Sequence, residues 1–155
     1  MRRLFASASL ALLFLFGACA QADEREAAIE TQDGAVHRFA VELALTPDEQ
    51  RRGLMYREEL AEDSGMLFFY PACTPAHFWM MNTLIPLDMI FIEADGRIAR
   101  IAEMTVPETL DVHESGVPVN GVLEVKGGLT RRLGIGEGDF VRHPWFGEGG
   151  KATCG

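Results

Sequence analysis

Two Asp-Gly pairs, Asp33-Gly34 and Asp95-Gly96, place the strongest constraint on the fold, because each lies between two runs of β-forming residues. Asp-Gly in that setting is typical of a tight hairpin turn, since glycine adopts the positive φ that the turn requires. The two pairs predict strands over 28–31, 36–45, 88–93 and 97–103. A chain with two such hairpins is expected to form a mainly antiparallel sheet.

The other elements are short. Apolar runs predict further strands over 65–70, 76–82, 121–126 and 140–142. Thr46-Pro47-Asp48-Glu49 is typical of a helix start, with Thr46 as cap and Glu49 three residues later, and predicts a helix to about residue 56. A single helical turn is expected over 129–133, and a long loop over 104–120 that forms the rim of any binding site. The sequence therefore predicts an α+β fold, mostly antiparallel β, with a small barrel-like sheet and one main helix.

Residues 1–22 have the order of a secretory signal peptide: Arg2 and Arg3, then an apolar run over 4–16, then small residues. Cys19 lies in a lipobox-like context, so lipidation there is an alternative to ordinary signal cleavage. Residues 23–27 are interpreted as a polar tether. These features predict an exported, periplasmic protein that is soluble or lipid-anchored and contacts the membrane only through the signal peptide or a Cys19 lipid.

The remaining chain is expected to contain one domain, residues 28–143, followed by a flexible glycine-rich tail over 144–155. With Cys19 removed or lipidated, Cys73 and Cys154 form an even pair in an oxidising compartment, which predicts a disulfide bond between them.

The charge of the chain argues against some partners. The full sequence has 14 basic and 23 acidic residues, and removal of the leader takes away two arginines, so the mature formal charge is 12 − 23 = −11. Such a surface repels nucleic acid and anionic lipid headgroups, and a nucleic-acid partner is therefore not expected.

The segment FWMMNTLIPLDMIF over 78–91 is apolar apart from Asn82, Thr83 and Asp88. A buried carboxylate must be hydrogen-bonded, and the nearest donors are the Asn82 amide, the Thr83 hydroxyl and the backbone of the bend around Pro86. One interpretation is that Asp88 accepts these bonds and fixes the bend. The alternative is a binding cleft with these three residues as polar contacts. The apolar lining of that cleft would come from Trp79, Met81 and Phe91.

Four segments, GLMYREEL, GMLFFY, FWMMNTLIPLDMIFIEADGRI and VLEVKGGLTRRLGIGEGDFV, resemble the successive motifs of the DUF192 family. The resemblance spans about residues 39–141. It implies a compact, barrel-like α+β fold and a small, often exported prokaryotic domain, and it supplies no established reaction. Met81 stands where the family commonly has lysine, so any anion-binding role of that lysine does not carry over.

The sequence favours a non-catalytic domain that binds an unidentified small molecule or an envelope protein, and it predicts no cofactor. One alternative is a hydrolase-like enzyme that uses Asp88 or Glu124 as base with His77 as partner. A second is Cu(I) handling through His77 and Met81, since imidazole and thioether suit that ion. A third is an envelope scaffold or assembly factor. No zinc-ligand spacing is present.

Overall fold

The computed structural model describes residues 23–153, in which seven strands and two short helices alternate. In chain order these are β1 (Glu26–Glu30), β2 (Val36–Ala44), α1 (Pro47–Arg52), β3 (Ser64–Phe78), β4 (Leu87–Ile92), β5 (Ile98–Thr105), β6 (His113–Lys126), α2 (Leu129–Leu133) and β7 (Phe140–Arg142). Neither of these helices is long and apolar enough to cross a membrane. The predicted leader, Cys19 and Cys154 lie outside the described residues.

The seven strands form one sheet in the order β5-β4-β6-β3-β2-β1-β7. Neighbouring strands are antiparallel except β2 and β3, which are parallel. A bridge between Arg97 and Phe140 brings the two edge strands together, so the sheet curls into a half-barrel. The predicted fold class, mostly antiparallel α+β with a barrel-like sheet, is confirmed.

Alternate residues of the central strands point to opposite sides of the sheet and form two separate cores. Inside the half-barrel lie Leu67, Ile90 and Leu123 with the other members of the first core. The opposite side carries the second core, which includes Phe68 and Phe91. Two further segments pack onto that second core: the loop after α1, with Leu54 and Leu60, and the end of β3 with the turn that follows it, with Ala76 and Met80.

Two loops predicted by the sequence are strands in the structure. Pro71 was expected to end a strand, yet β3 runs on through Pro71 and Pro75. The register against β6 shifts between Phe69 and Thr74 and again between Pro75 and His77, and such irregularities accommodate proline because no ladder hydrogen bond is required there. The partner of this extension is the first half of β6, so the loop predicted over 104–120 is limited to residues 106–112.

Residues on both sides of the predicted domain, in the stretch interpreted as a tether and in the predicted tail, also contribute to the fold. β1 begins at Glu26, inside the stretch interpreted as a tether, and Ala27 is fully buried. The tail predicted to be flexible from residue 144 packs onto the first core through Trp145, which is 2% exposed, and Phe146. The glycines of this segment suggested disorder, but its two aromatic side chains have enough apolar surface to hold residues 144–153 in place.

A candidate ligand-binding cavity

Glu124 is a charged residue type in the middle of an apolar layer. It lies on β6 and is paired with Met66 on β3 and Met89 on β4, both of which belong to the second core. Paired residues of adjacent strands project to the same side of a sheet, so the Glu124 side chain also points into that layer. Only 4% of its surface is exposed.

The Glu124 side chain lines a cavity of about 340 Å³ between the central strands, α1 with the loop after it, and the end of β3 with the turn that follows. We call this space the Glu124 cavity. It is lined by Pro47, Gln50, Arg51, Arg52, Gly53, Leu54, Met55, Phe68, Tyr70, His77, Phe78, Trp79, Thr83 and Glu124. About half of these residues are aromatic or aliphatic and the others carry polar or charged groups, so the cavity combines apolar walls with several groups that could orient a small molecule.

The electrostatic state of Glu124 follows from its burial. No residue in 23–153 donates a hydrogen bond to its carboxyl group or forms an ion pair with it, so loss of hydration raises its pKa to about 8. Tyr70 lines the same cavity, and its pKa is raised to about 12 by its own burial and by the nearby Glu124 charge. At neutral pH the Glu124 carboxyl is therefore mostly protonated and can donate a hydrogen bond.

One wall of the Glu124 cavity is built by α1 and the turn that ends it. The predicted capping box is present: the Glu49 N–H donates to Thr46 Oγ1 and the Thr46 N–H donates to Glu49 Oε2. Gln50 Nε2 donates to the carbonyls of Ala44 and Phe69, which holds the helix against β2 and β3. The helix ends at Arg52, shorter than predicted.

Gly53 lets the turn after α1 pass directly over the cavity floor. Its φ is +46°, and a Cβ atom there would lie 3.2 Å from the Phe68 ring and 3.9 Å from Glu124 Oε2. A larger residue would both be strained and press on Phe68.

The opposite wall is the end of β3 and the turn that follows. His77 and Trp79 are exposed, whereas Met80 is buried in the second core, as the predicted alternation requires. The two walls are joined by a hydrogen bond from the Tyr56 N–H to the Asn82 carbonyl, 2.8 Å long. Both residues have positive φ, which is unfavourable for tyrosine and is common near binding sites.

Asp88 is buried as predicted, but the predicted donors were wrong. Its carboxylate accepts bonds from the backbone N–H groups of Met104 (2.8 Å), Gly128 (2.8 Å) and Thr130 (2.9 Å) and from Thr130 Oγ1 (2.7 Å). Asp88 is paired with Val125 and so lies on the inner side of the sheet. It therefore satisfies the free N–H groups at the start of α2 instead of fixing the bend around Pro86.

The six residues predicted to bind a ligand are not brought together. Trp79 and Thr83 line the Glu124 cavity, and Met81 and Asn82 lie in the adjoining turn without lining it. Phe91 is fully buried, with its ring centroid 6.2 Å from that of Phe78. Asp88 faces the other side of the sheet. The binding role of Trp79 and Thr83 stays a prediction.

Sequence reasoning gave Glu124 too little weight. It was named only as an alternative base, although it is the one acidic residue in the strand VLEVK, which is otherwise apolar up to its final lysine. A carboxyl group in a strand buried on both faces is a useful indicator of a site, because burial of an unpaired charge is costly. His77, proposed as a catalytic partner, does line the same cavity as Glu124.

The metal hypothesis stays a prediction. His77 Nε2 lies 3.8 Å from Glu114 Oε1, and both side chains are more than half exposed. Within residues 23–153, no three His, Cys, Asp or Glu side chains are grouped closely enough to hold a metal ion. That finding does not bear on a site built from methionine sulfur.

The disulfide prediction is also still open, because Cys154 lies outside the described residues. Thr153, the residue before Cys154, nevertheless lies next to Cys73 in the structure. The Cys73 N–H donates to the Thr153 carbonyl at 3.1 Å, and Ala72 forms a parallel bridge with Thr153.

The curled half-barrel of seven strands with few helices places the chain among small, mainly antiparallel α+β domains. The DUF192 family, described as "Uncharacterized ACR, COG1430", matches residues 28–143, and the chain belongs to this family. The resemblance drawn from the four motifs is confirmed.

Two solved structures are similar to the chain. One is a protein from Sinorhizobium meliloti 1021 described as a candidate transcription regulator, with 40% identity, a TM-score of 0.75, and coverage of 78% of this chain and 94% of the other. The second is a protein of unknown function from Novosphingobium aromaticivorans DSM 12444, with 43% identity, a TM-score of 0.72, and coverage of 76% and 83%. No curated protein matches the chain.

Proposed function

We propose that the domain is a non-catalytic binding domain that holds a small organic molecule in the Glu124 cavity. The observation that carries this proposal is the Glu124 carboxyl group, which is almost fully buried, faces a cavity, and receives no hydrogen bond from residues 23–153. A buried polar group without a partner reduces stability, and such costs are typically retained where a ligand supplies the partner.

The location and anchoring of this binding domain belong to the same proposal. The leader over 1–22 supports export, and Cys19 supports attachment of the mature protein to an envelope membrane. Export and the mature charge of −11 oppose the nucleic-acid binding that the description of the Sinorhizobium protein would suggest for a relative.

A thermal-shift screen tests the binding proposal. Wild-type protein and the Trp79→Ala variant are compared against a panel of small envelope metabolites, with Val36→Ala as control. Trp79 and Val36 are both exposed apolar residues, but only Trp79 lines the cavity. We expect at least one class of compound to stabilise wild type and Val36→Ala but not Trp79→Ala. A panel that stabilises none of the three proteins contradicts the proposal.

A hydrolase-like enzyme is the second candidate, with Glu124 and not Asp88 beside His77. A carboxyl group with a pKa of about 8 can accept or donate a proton near neutral pH, and His77 lines the same cavity. Binding is favoured because the one threonine of the lining, Thr83, has no hydrogen bond from its hydroxyl to Glu124 or His77 within residues 23–153, and the lining includes no serine or cysteine, so no activated acyl-transfer nucleophile is present there. Hydrolysis of 4-nitrophenyl acetate by wild type that Glu124→Gln abolishes would support the enzyme instead.

A further inference from the structure

We propose that the Glu124 cavity selects a small carboxylate with an apolar or aromatic body. This inference rests on the proposed binding function and adds the chemical class of the ligand. It depends on three parts of the cavity: the carboxyl group at its buried end, the charge at its open side, and the rings along its walls.

The buried end favours a hydrogen-bond acceptor. A protonated Glu124 carboxyl presents an O–H group, and no described residue accepts a bond from it. A ligand carboxylate oxygen can accept that bond, and charge-assisted bonds of this type are among the stronger ones in proteins. A cationic ligand would instead require Glu124 to lose its proton in surroundings that disfavour the charged form.

The open side carries a positive charge that no described acidic residue neutralises. Arg51 forms an ion pair with Asp48. Arg52 is exposed, lines the cavity and has no acidic partner within residues 23–153. A guanidinium charge at the open side attracts an anionic ligand into the cavity and repels an ammonium group, even though the ligand carboxylate itself lies against Glu124. Against a chain of net charge −9, this local positive charge is a specific feature.

The walls favour an apolar body of limited size. Phe68, Tyr70, Phe78 and Trp79 contribute aromatic faces and edges to the lining. The volume of about 340 Å³ lies at the small end of the range of roughly 300–1,000 Å³ for ligand pockets, which suits a molecule of about one ring.

Protonation of Glu124 should increase the affinity of the cavity for a carboxylate ligand. The titratable or charged groups of the lining are Arg51 and Arg52 from α1, and Tyr70 and His77 from β3, together with Glu124 itself. A bound carboxylate favours the neutral form of Glu124 and so raises its pKa further. Affinity for a carboxylate should therefore fall as the pH rises above about 8, and affinity for a cation should rise.

Three probes of one shape test the inference on the mature protein: benzoate, benzamide and benzylamine, with affinities measured by calorimetry. At a pH of about 6.5 we expect benzoate to bind roughly ten times more tightly than either other probe, as one extra charge-assisted bond implies. At a pH of about 9.5 its affinity should fall by a factor of about ten, because Glu124 is then ionised.

Two variants locate the effect. Arg52→Gln should weaken benzoate binding about threefold through loss of the attracting charge, whereas Arg25→Gln, which changes an exposed arginine outside the cavity, should leave it unchanged. Glu124→Gln should keep most of the affinity at low pH, because the amide also donates, but should abolish its fall at high pH. If Glu124→Gln does not fold, the affinity of Arg52→Gln for benzoate and the pH dependence of benzoate binding to wild type still test whether the cavity selects a carboxylate.

The remaining outcomes distinguish failure of the carboxylate inference from failure of the proposed binding function. Preference for benzylamine, or equal binding of benzamide and benzoate, overturns the carboxylate inference and leaves the binding function standing. Benzoate binding that neither Arg52→Gln nor pH alters places the probe elsewhere and also overturns the inference. If none of the three probes binds and the metabolite screen is negative, the proposed binding function itself fails.

Discussion

Asp88 and Glu124 are buried carboxyl groups on adjacent strands, one residue apart in register, yet their surroundings are opposite. Asp88 faces the inside of the half-barrel and accepts four hydrogen bonds, three of them from backbone N–H groups. Glu124 faces the outer core and a cavity, and no described residue donates to it. The same functional group therefore serves as a structural acceptor on one side of the sheet and is available for a ligand on the other.

The difference arises from what covers each side. Inside the half-barrel, the chain after β6 returns as α2, and a helix start supplies N–H groups that need an acceptor. On the outer side, the loop after α1 and the end of β3 with its following turn pack onto the second core through apolar side chains. Gly53 lies close to Glu124, but its N–H donates to the Glu49 carbonyl and not to the Glu124 carboxyl.

Replacement of Asp88 is the strongest test of this contrast. Asp88→Asn keeps one acceptor oxygen but places an N–H₂ group against donors, so we expect a loss of about 3 to 5 kcal/mol in the free energy of unfolding. Urea denaturation measures it, with Asp111→Asn, an exposed position, as control. A loss below about 1 kcal/mol would show that the four bonds do not support the fold.

Replacement of Glu124 should increase the free energy of unfolding, in contrast to replacement of Asp88, and the increase should depend on pH. The pKa is 4.5 in the reference state and about 8 in the folded protein, so between these values the folded state holds the extra proton and a rise in pH destabilises it. Glu124→Gln cannot ionise and so lacks this pH-dependent loss of stability. We expect its free energy of unfolding to rise relative to that of wild type by about 3 kcal/mol between about pH 5 and about pH 8.

Urea denaturation across that pH range checks the prediction for Glu124, and Glu58→Gln, an exposed position, provides the control. A difference between Glu124→Gln and wild type that is constant with pH would mean that Glu124 is charged in the folded state, with a partner outside the residues 23–153.

Replacement of Thr130, whose hydroxyl donates to Asp88, tests one of the four hydrogen bonds by itself. Thr130→Val keeps the shape and the backbone N–H but removes the hydroxyl bond of 2.7 Å to Asp88. We expect a loss of about 1 to 2 kcal/mol, whereas Thr130→Ser, which keeps the hydroxyl, should lose less. Equal losses in the two variants would show that the methyl packing of Thr130 matters more than its bond.

The contrast between the two carboxyl groups also shows where sequence reasoning succeeds. The hairpins at Asp33-Gly34 and Asp95-Gly96 were predictable because the turn chemistry is local, and both glycines have the expected positive φ. The capping box at Thr46 was predictable for the same reason. Burial of Asp88 followed from the apolar run around it.

The contacts that sequence reasoning missed are those between distant segments. The donors to Asp88 lie 40 and 42 residues further along the chain, at Gly128 and Thr130, and nothing in the local pattern indicates that α2 returns to β4. The parallel pairing of β2 with β3 and the Glu124 cavity likewise depend on which segments pack together. Polar residues close together in the sequence, such as Asn82 and Thr83, were therefore overrated as partners.

The smallest expected effect concerns Tyr70, which reports the charge on Glu124. The pKa of Tyr70 is about 12, mainly because of burial and in part because of the Glu124 carboxylate, which is ionised at such a pH. Glu124→Gln removes that negative charge, so the Tyr70 pKa should fall, by less than about one unit since burial remains. Tyrosinate absorbance follows the titration, and Tyr70→Phe identifies which of the two tyrosines is responsible. Because Glu58→Gln should leave the titration unchanged, an unaltered Tyr70 pKa in Glu124→Gln would mean that the Glu124 side chain points away from the cavity.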